Sequence, residues 1–352
     1  MNDRSLDILE QVRTARARRQ AVSIVGGGSK HFLGHSVDAP LLNVAEHVGI
    51  VQYEPRELVL TVRAGTTIAM IEETLARQTQ QLGFEPPRFD DNATIGGTLA
   101  CNACGPARPW RGSIRDAVLG VRIVTGKAEH LRFGGQVMKN VAGFDVSRLQ
   151  AGAYGALGVV TEMSLRVVPV PAAETTLVQE CTADRALERM AQFGGEPQPL
   201  TGAAWVDGRL YLRLSGNANA VAATAARWGG ERAPAVANFW AQLRDHQLPF
   251  FRAEQTLWRV AVKPTAPLPP GDSAWLIDWG GAQRFLHADQ LPEAVSALTT
   301  AAGGYVTALR RRAPQTTFMP DPPAAIKALH LRLKRAFDPD RILNPGRLYH
   351  WL

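Results

Sequence analysis

The sequence predicts the α+β fold class, and three observations point there. Beyond Glu174, strand-like and helical segments follow one another as in a layer with antiparallel strands, not as regular βαβα winding. The run AAWVDGRLYLRL carries Asp207-Gly208 between alternating residues, a hairpin signal. Two stretches of bare backbone, GGGSK at 26–30 and NATIGGTLACNACG at 92–105, mark places where the main chain comes close to something.

The elements follow in order. Residues 5–18 place Leu6, Ile8, Leu9 and Val12 at helical spacing among basic residues, a surface helix. AVSIV at 21–25 is a short β-branched strand running into the triple glycine, and 41–44 and 58–63 are further strands. Ile68, Ile71 and Leu75 mark one face of a helix starting near Thr66 or Thr67 and stopping at Gly83, with Pro86-Pro87 beyond. Residues 117–124 and 158–168 are strands, and Pro169 and Pro171 make a domain exit. The second half reads as a strand from Glu174, a helix at 184–193 closed by Gly194-Gly195, the hairpin, and an alanine-rich helix at 218–228. Strands at 257–262 and 274–279, a helix at 292–302 and a strand at 305–309 follow. The tail is a helix at 324–337 with Ile326, Leu329, Leu333 and Phe337 on one face, ending in DPDRILNPG.

Composition excludes several classes. A chain of 352 residues that is 45% hydrophobic buries a substantial core and divides into two domains. Three cysteines imply no disulfide framework and suit a reducing compartment. The amino terminus has no apolar stretch before a cleavage site and no run is long enough to span a membrane, so the expectation is a cytoplasmic protein. The net charge of +7 gathers at Arg310, Arg311 and Arg312 and around Arg332, Lys334 and Arg335. No nucleic-acid motif accompanies it, so an anionic cofactor, acidic substrate or acidic partner is expected instead.

GGGSK directly after a strand lets successive N–H groups converge on an anion, phosphate above all. It is not a Rossmann fingerprint, since His31 stands where a small residue is needed, and Ser29-Lys30-His31 is not the Gly-Lys-Ser/Thr of a P-loop. Taken alone it reads as an ordinary tight turn. Cys101 and Cys104 have CxxC spacing, but Cys181 is the only other cysteine and no histidine pair is near, so no metal is expected. Close backbone approach explains the stretch better, with Gly96 and Gly97 admitting a flat or phosphorylated ligand and Thr94 and Asn102 offering hydrogen bonds.

AVSIVGGGSKHFLG, LTVRAG, NATIGGTLACNACG, RPWRGSIRDAVLGVRIVTG and VMKNVAGFDVSRLQAGAYGALGVVTE, in this order, resemble the PCMH-type FAD-binding domain of the vanillyl-alcohol-oxidase and D-lactate-dehydrogenase flavoproteins. FDPDRILNPGRLY resembles the carboxyl end of the same superfamily. The resemblance covers roughly residues 20–170 plus the tail and is strongest to the FAD-binding subunits of bacterial glycolate oxidase. It implies FAD between two α+β subdomains in residues 1–171, a reduced antiparallel α+β cap in 172–312, and a tail, 313–352, packing back on the FAD domain. By resemblance Gly26, Gly27, Gly28 and Ser29 hold the pyrophosphate, and Thr94, Ile95, Gly96 and Gly97 line it from the other side. Asn102 hydrogen-bonds, Gly112, Ser113 and Ile114 approach the flavin or ribityl chain, and Gly143, Asp145, Gly155, Gly158 and Val160 close the pocket near isoalloxazine and adenine. FAD is expected to be non-covalent, since Ser29 stands where some relatives carry a flavin-linked histidine, though His31 and His35 lie close by.

Related catalytic subunits carry a histidine motif in the cap that this chain lacks; His246 and His287 read as ordinary, and Arg259 and Lys263 as solvated strand residues that could meet an acid. The expectation is an electron-transferring FAD subunit of a complex oxidising glycolate to glyoxylate, beside a homologous catalytic FAD subunit and an iron-sulfur subunit. It is expected to bind no nucleic acid and to reach the inner face of the cytoplasmic membrane, if at all, through partners. The alternatives are a self-sufficient FAD dehydrogenase of another 2-hydroxy acid or alcohol, a reductase of the cell-wall-precursor kind, which the cap and NPG tail argue against, and a scaffold that has lost flavin.

Overall fold

The computed structural model describes residues 2–135, 145–232, 238–271, 273–313 and 316–352. The chain divides into two compact units: Met1–Cys104, Gly112–Val170 and Asp321–Leu352 form the first, and Gly105–Arg111 with Pro171–Pro320 the second.

In the first unit α1 (Ser5–Ala17) buries Ile8, Val12 and Ala15. β1 (Ser23–Val25) pairs in parallel with β2 (Leu41–Asn43). β3 (Ile50–Glu54) and β4 (Val59–Arg63) form an antiparallel pair, and α2 (Ile68–Ala76) follows, capped by the Thr67 hydroxyl. The helix ends at Ala76 and not at Gly83 because Thr79 takes a positive φ of 52° and the chain turns into β5 (Gln80–Leu82). α3 (Ile95–Cys101) lies inside the stretch whose glycines read as loop. Its helical state comes from tertiary context: Ile95 and Leu99 are fully buried, Thr94 caps the start, and left-handed Asn102 ends it. After α4 (Arg108–Arg111), which belongs to the second unit, come α5 (Ile114–Ala117), β6 (Val118–Val124), β7 (His130–Gly134), α6 (Val146–Leu149) and β8 (Val159–Pro169). The sheet runs β3-β4-β8-β6-β7, with β5 also pairing β8. Leu60, Val62, Ile71, Ile123, Met163 and Leu165 fill its core against α2, α3 and α5.

The second unit is one antiparallel sheet with helices. β9 (Ala173–Glu180) leads to α7 (Ala183–Gly194), then to the hairpin of β10 (Leu200–Val206) and β11 (Arg209–Gly216) turning at Asp207-Gly208, both at positive φ. α8 (Ala218–Trp228), β12 (Glu231–Arg232), α9 (Phe239–Arg244), β13 (Leu257–Ala261), β14 (Trp275–Asp278), β15 (Gln283–His287), α10 (Glu293–Ala301) and β16 (Tyr305–Arg310) complete it. The strand order is β12-β9-β11-β10-β14-β15-β13-β16.

The tail returns to the first unit as α11 (Ala324–Phe337). Its expected apolar face is only partly buried: Ile326 and Leu329 are 43% and 49% exposed, Phe337 packs against the core, and the helix residue that is fully buried is Lys334. Lys334 Nζ donates to Ala156 O (2.9 Å) and Leu343 O (2.7 Å) and pairs with Asp338 at 2.8 Å. Burial lowers the Lys334 pKa, and the Asp338 carboxylate opposes that shift. Asp338 in turn accepts from the Ile342 and Leu343 amides. The FDPD motif is thus a buried charge clamp, and it lays residues 342–344 alongside β1: Val22 N donates to Ile342 O and Asn344 N to Val22 O.

Candidate cofactor site

Beyond β1 the first unit opens into a cleft. Gly26, Gly27, Gly28 and Ser29 form one wall. Gly28 has φ +80°, a conformation that glycine adopts without strain. The N–H groups of Gly26, Gly27, Gly28 and Ser29 donate to no acceptor among the described residues. They are donors waiting for an acceptor.

The 92–97 segment meets this loop. A Cβ on Gly27 would lie 1.6 Å from Asn92 O, and one on Gly26 would lie 2.6 Å from Thr94 Oγ1. Thr94, Gly96 and Gly97 line the cleft, and the amides that follow Thr94 are taken up within the protein. Ile95 N donates to Thr66 O, Gly96 N to Ala64 O, Gly97 N to the Thr94 hydroxyl and Thr98 N to Thr94 O. Gly96 is small because Ala64 presses on it, its Cβ position being 2.8 Å from Ala64 Cβ and O. At Gly97 a Cβ would meet only Thr94 Oγ1, at 3.3 Å, so its bareness leaves room in the cleft itself.

Gly155, Gly158 and Val160 line the cleft too. Gly155, at φ +74°, lets Asn344 of the tail come near; Asn344 Nδ2 donates to Tyr154 O and its Oδ1 accepts from Ile24 N, each at 2.7 Å. The sequence did not single out Lys30, His31, Gln150, Tyr154, Asn344 or Arg347 as site residues, yet all line the cleft. Lys30 is 6% exposed, with Nζ 3.2 Å from Ser29 Oγ and 5.7 Å from the Phe89 ring centre. Arg347 donates to His35 O and His31 O. Burial lowers the Arg347 pKa, with Cys101 and Tyr154 acting the other way. Burial raises the Cys101 thiol while Lys30 and Arg347 pull it back, so both cations act at this point of the wall. Among the described residues the lining contains no carboxylate.

Other expected site residues lie elsewhere. Ile95 and Ile114 are in the core of the first unit. Asn102 ends α3, its Oδ1 buried without a partner among the described residues, and is not in the lining. Gly112 and Ser113 form the start of α5: the Ser113 amide and hydroxyl both donate to Asp116, and Gly112 has φ +79°. Asp145 caps α6 by accepting from Arg148 N. Gly143 lies outside the described residues. Cys104 donates to Asn102 O, and no cluster of three His, Cys, Asp or Glu able to hold a metal occurs among the described residues. In the second unit His246 stacks on Phe251 at 4.2 Å, and His287 sits 5.2 Å from Phe250. Burial, reinforced by Arg310, pushes the His246 imidazole down to about 3, keeping it neutral. Arg259 donates to Gln283 Oε1 and lies over Trp279; Lys263 is exposed.

A cleft with unoccupied amides, two cations and no acid on its walls defines a site for a phosphorylated cofactor, and the FAD binding domain family matches residues 4–134. The chain is 44% identical over 99% of its length to the Escherichia coli (strain K12) glycolate oxidase subunit GlcE, 98% of which is covered. It belongs to that family of FAD-binding glycolate oxidase subunits. The Bacillus subtilis (strain 168) glycolate oxidase subunit GlcD is 29% identical over 50% of this chain and 38% of its own length. The solved structure of alkyldihydroxyacetonephosphate synthase shares the fold, with a TM-score of 0.65 and 16% identity over 97% of this chain and 74% of the other. FAD is the cofactor of the family, and the walls fit it: a diphosphate needs donors and positive charge, and both are present. No described helix is long and apolar enough to cross a membrane.

Proposed function

We propose that this chain is the FAD-holding, electron-transferring subunit of a complex that oxidises glycolate to glyoxylate. The observation that carries the reading is the cleft with four free amides between Lys30 and Arg347, in a chain that aligns end to end with a glycolate oxidase subunit. The Gly26–Ser29 amides, Lys30 and Arg347 would hold the diphosphate. Ile24, Val44, Ala64 and Val160, contiguous in one apolar cluster, would lie against a ring face, and Gly97, Gly155 and Gly158 would leave it room. Bound FAD supplies a two-electron acceptor. The protein's part is to bind and orient it, with the tail residues Asn344 and Arg347 closing one side.

Residues 1–171 with the tail from 313 serve as the FAD domain in this reading, and 172–312 as a reduced cap. His246 and His287, packed among phenylalanines, are structural there, which fits a subunit that leaves substrate chemistry to a homologous FAD partner. An iron-sulfur subunit would take the electrons onward. The cofactor is held non-covalently, and the chain is cytoplasmic, reaching the inner membrane face through its partners.

The test is to isolate the tagged chain from its host, record the visible spectrum, identify what accompanies it and assay glycolate-dependent dye reduction. A yellow chain, silent alone but active with a second flavoprotein and an iron-sulfur protein, is the expected result. Turnover by the solitary yellow chain would make it a self-sufficient dehydrogenase, and a colourless chain that takes up no FAD would make it a scaffold.

A further inference from the structure

Gln150 is 2% exposed, lines the cleft, and has no acceptor for its Nε2 among the described residues. Burying an amide without an acceptor is costly, and a cleft wall is a place where a ligand can repay that cost. The side chain cannot easily turn to water. Gln150 N closes α6 on Val146 O and Ser147 O, and the residues after it are tied to α3: Gly152 N donates to Leu99 O and Tyr154 N to Ala100 O, each at 2.9 Å. Asn102, at the end of α3, carries a buried Oδ1 that also lacks a partner. A Cβ on Gly152 would lie 3.5 Å from Asn102 Cβ, so the two unmatched groups sit on adjoining segments. One is a donor and the other an acceptor. Ala100 and Cys101, which precede Asn102 on α3, line the cleft as Gln150 does. The diphosphate already has its donors in Gly26–Ser29, and a neutral amide suits a ring carbonyl.

We infer that the Gln150 amide donates a hydrogen bond to a carbonyl of the flavin ring of bound FAD, so that this residue helps set the reduction potential of the cofactor. The inference rests on the reading that FAD occupies this cleft. Ring carbonyls gain negative charge when the flavin is reduced, and a buried donor favours that form.

The experiment compares full-length wild type with Gln150→Met, which keeps the length and removes the donor. FAD and ADP affinities are measured by titration, and the midpoint potential of bound FAD by equilibration with a reference dye. Gln150→Met should weaken FAD binding by about 3-fold to 10-fold and leave ADP binding unchanged. Its potential should fall by about 30 mV for each tenfold by which the reduced form loses more affinity than the oxidised form. Unchanged FAD affinity and potential would overturn the inference, as would an equal loss for ADP, which would put the amide on the adenine or phosphate half. Should Gln150→Met fail to fold, Gln150→Glu tests the same point: it must lower the potential, and an unchanged value overturns the inference. Wild type that takes up no FAD would instead overturn the reading of the cleft.

Discussion

The glycines at 26–28 and those at 96–97 look alike in sequence and do different work. The first set leaves its amides unpaired and aimed at no protein group, so it can bind an anion. The second set has its amides taken up by Ala64 and Thr94, and serves packing and room: Gly96 fits against Ala64, and Gly97 keeps the cleft open. Glycine content therefore marks close approach, while the fate of the N–H groups decides whether the approach is to a ligand or to the protein itself.

Four substitutions break or sharpen that contrast, beginning with the largest effect. Gly27→Ala puts a methyl 1.6 Å from Asn92 O, so the two segments must separate. The expected loss is about 4 kcal/mol or more, with no FAD retained, read by urea unfolding and flavin absorbance. Lys334→Met leaves the Asp338 carboxylate buried without its cation and should cost about 3–5 kcal/mol in the same unfolding assay. FAD should also bind less tightly, because Asn344 and Arg347 depend on that clamp for their places; a variant as stable as wild type would remove the clamp from the account.

The second unit supplies a control that the cleft should not feel. His246 titrates at about 3 in the folded chain and near 6.5 unfolded. Between those values the unfolded state binds more protons, so stability falls as pH drops from about 6.5 toward 3, by up to about 1.4 kcal/mol per pH unit. Thermal melts of His246→Leu across this range should show a shallower slope than wild type; equal slopes would mean that the imidazole is not held neutral. Gly97→Ala has the smallest effect, within about 0.5 kcal/mol, since a better helix former offsets a tight contact with Thr94 Oγ1. A large loss there would place Gly97 with Gly27 as a packing glycine.

Much of the fold was legible because its central strands are β-branched and apolar: β4, β6 and β8 stand where LTVR, VRIV and VVTEM predict them. The strands that escaped, β3, β5, β7, β12 and β15, carry Gln52, Glu54, Gln80, Arg132, Glu231, Gln283 and Arg284, and their pairing comes from neighbours across the sheet. Arg284 shows why: fully buried, it is satisfied by the carbonyls of Gly281, Pro267 and Ala266, which no local pattern announces. At the site, the glycines were visible as glycines. Asn344 was not visible as a site residue, since it meets Ile24 across 320 residues of chain, and Gln150 looked like any polar residue at a helix end. Ser113 and Asp145, expected at the cofactor, serve the starts of α5 and α6: Ser113 N donates to Asp116, and Asp145 accepts from Arg148 N.

The central claim is that FAD lies in the cleft between the free amides of Gly26–Ser29 and the bare face of Gly97. Titrating FAD into flavin-free wild type and Gly97→Trp tests it most directly, with urea unfolding run on both. One FAD per chain for wild type and none for a Gly97→Trp variant that still unfolds cooperatively is the predicted result. Equal FAD affinity in the two proteins would contradict it.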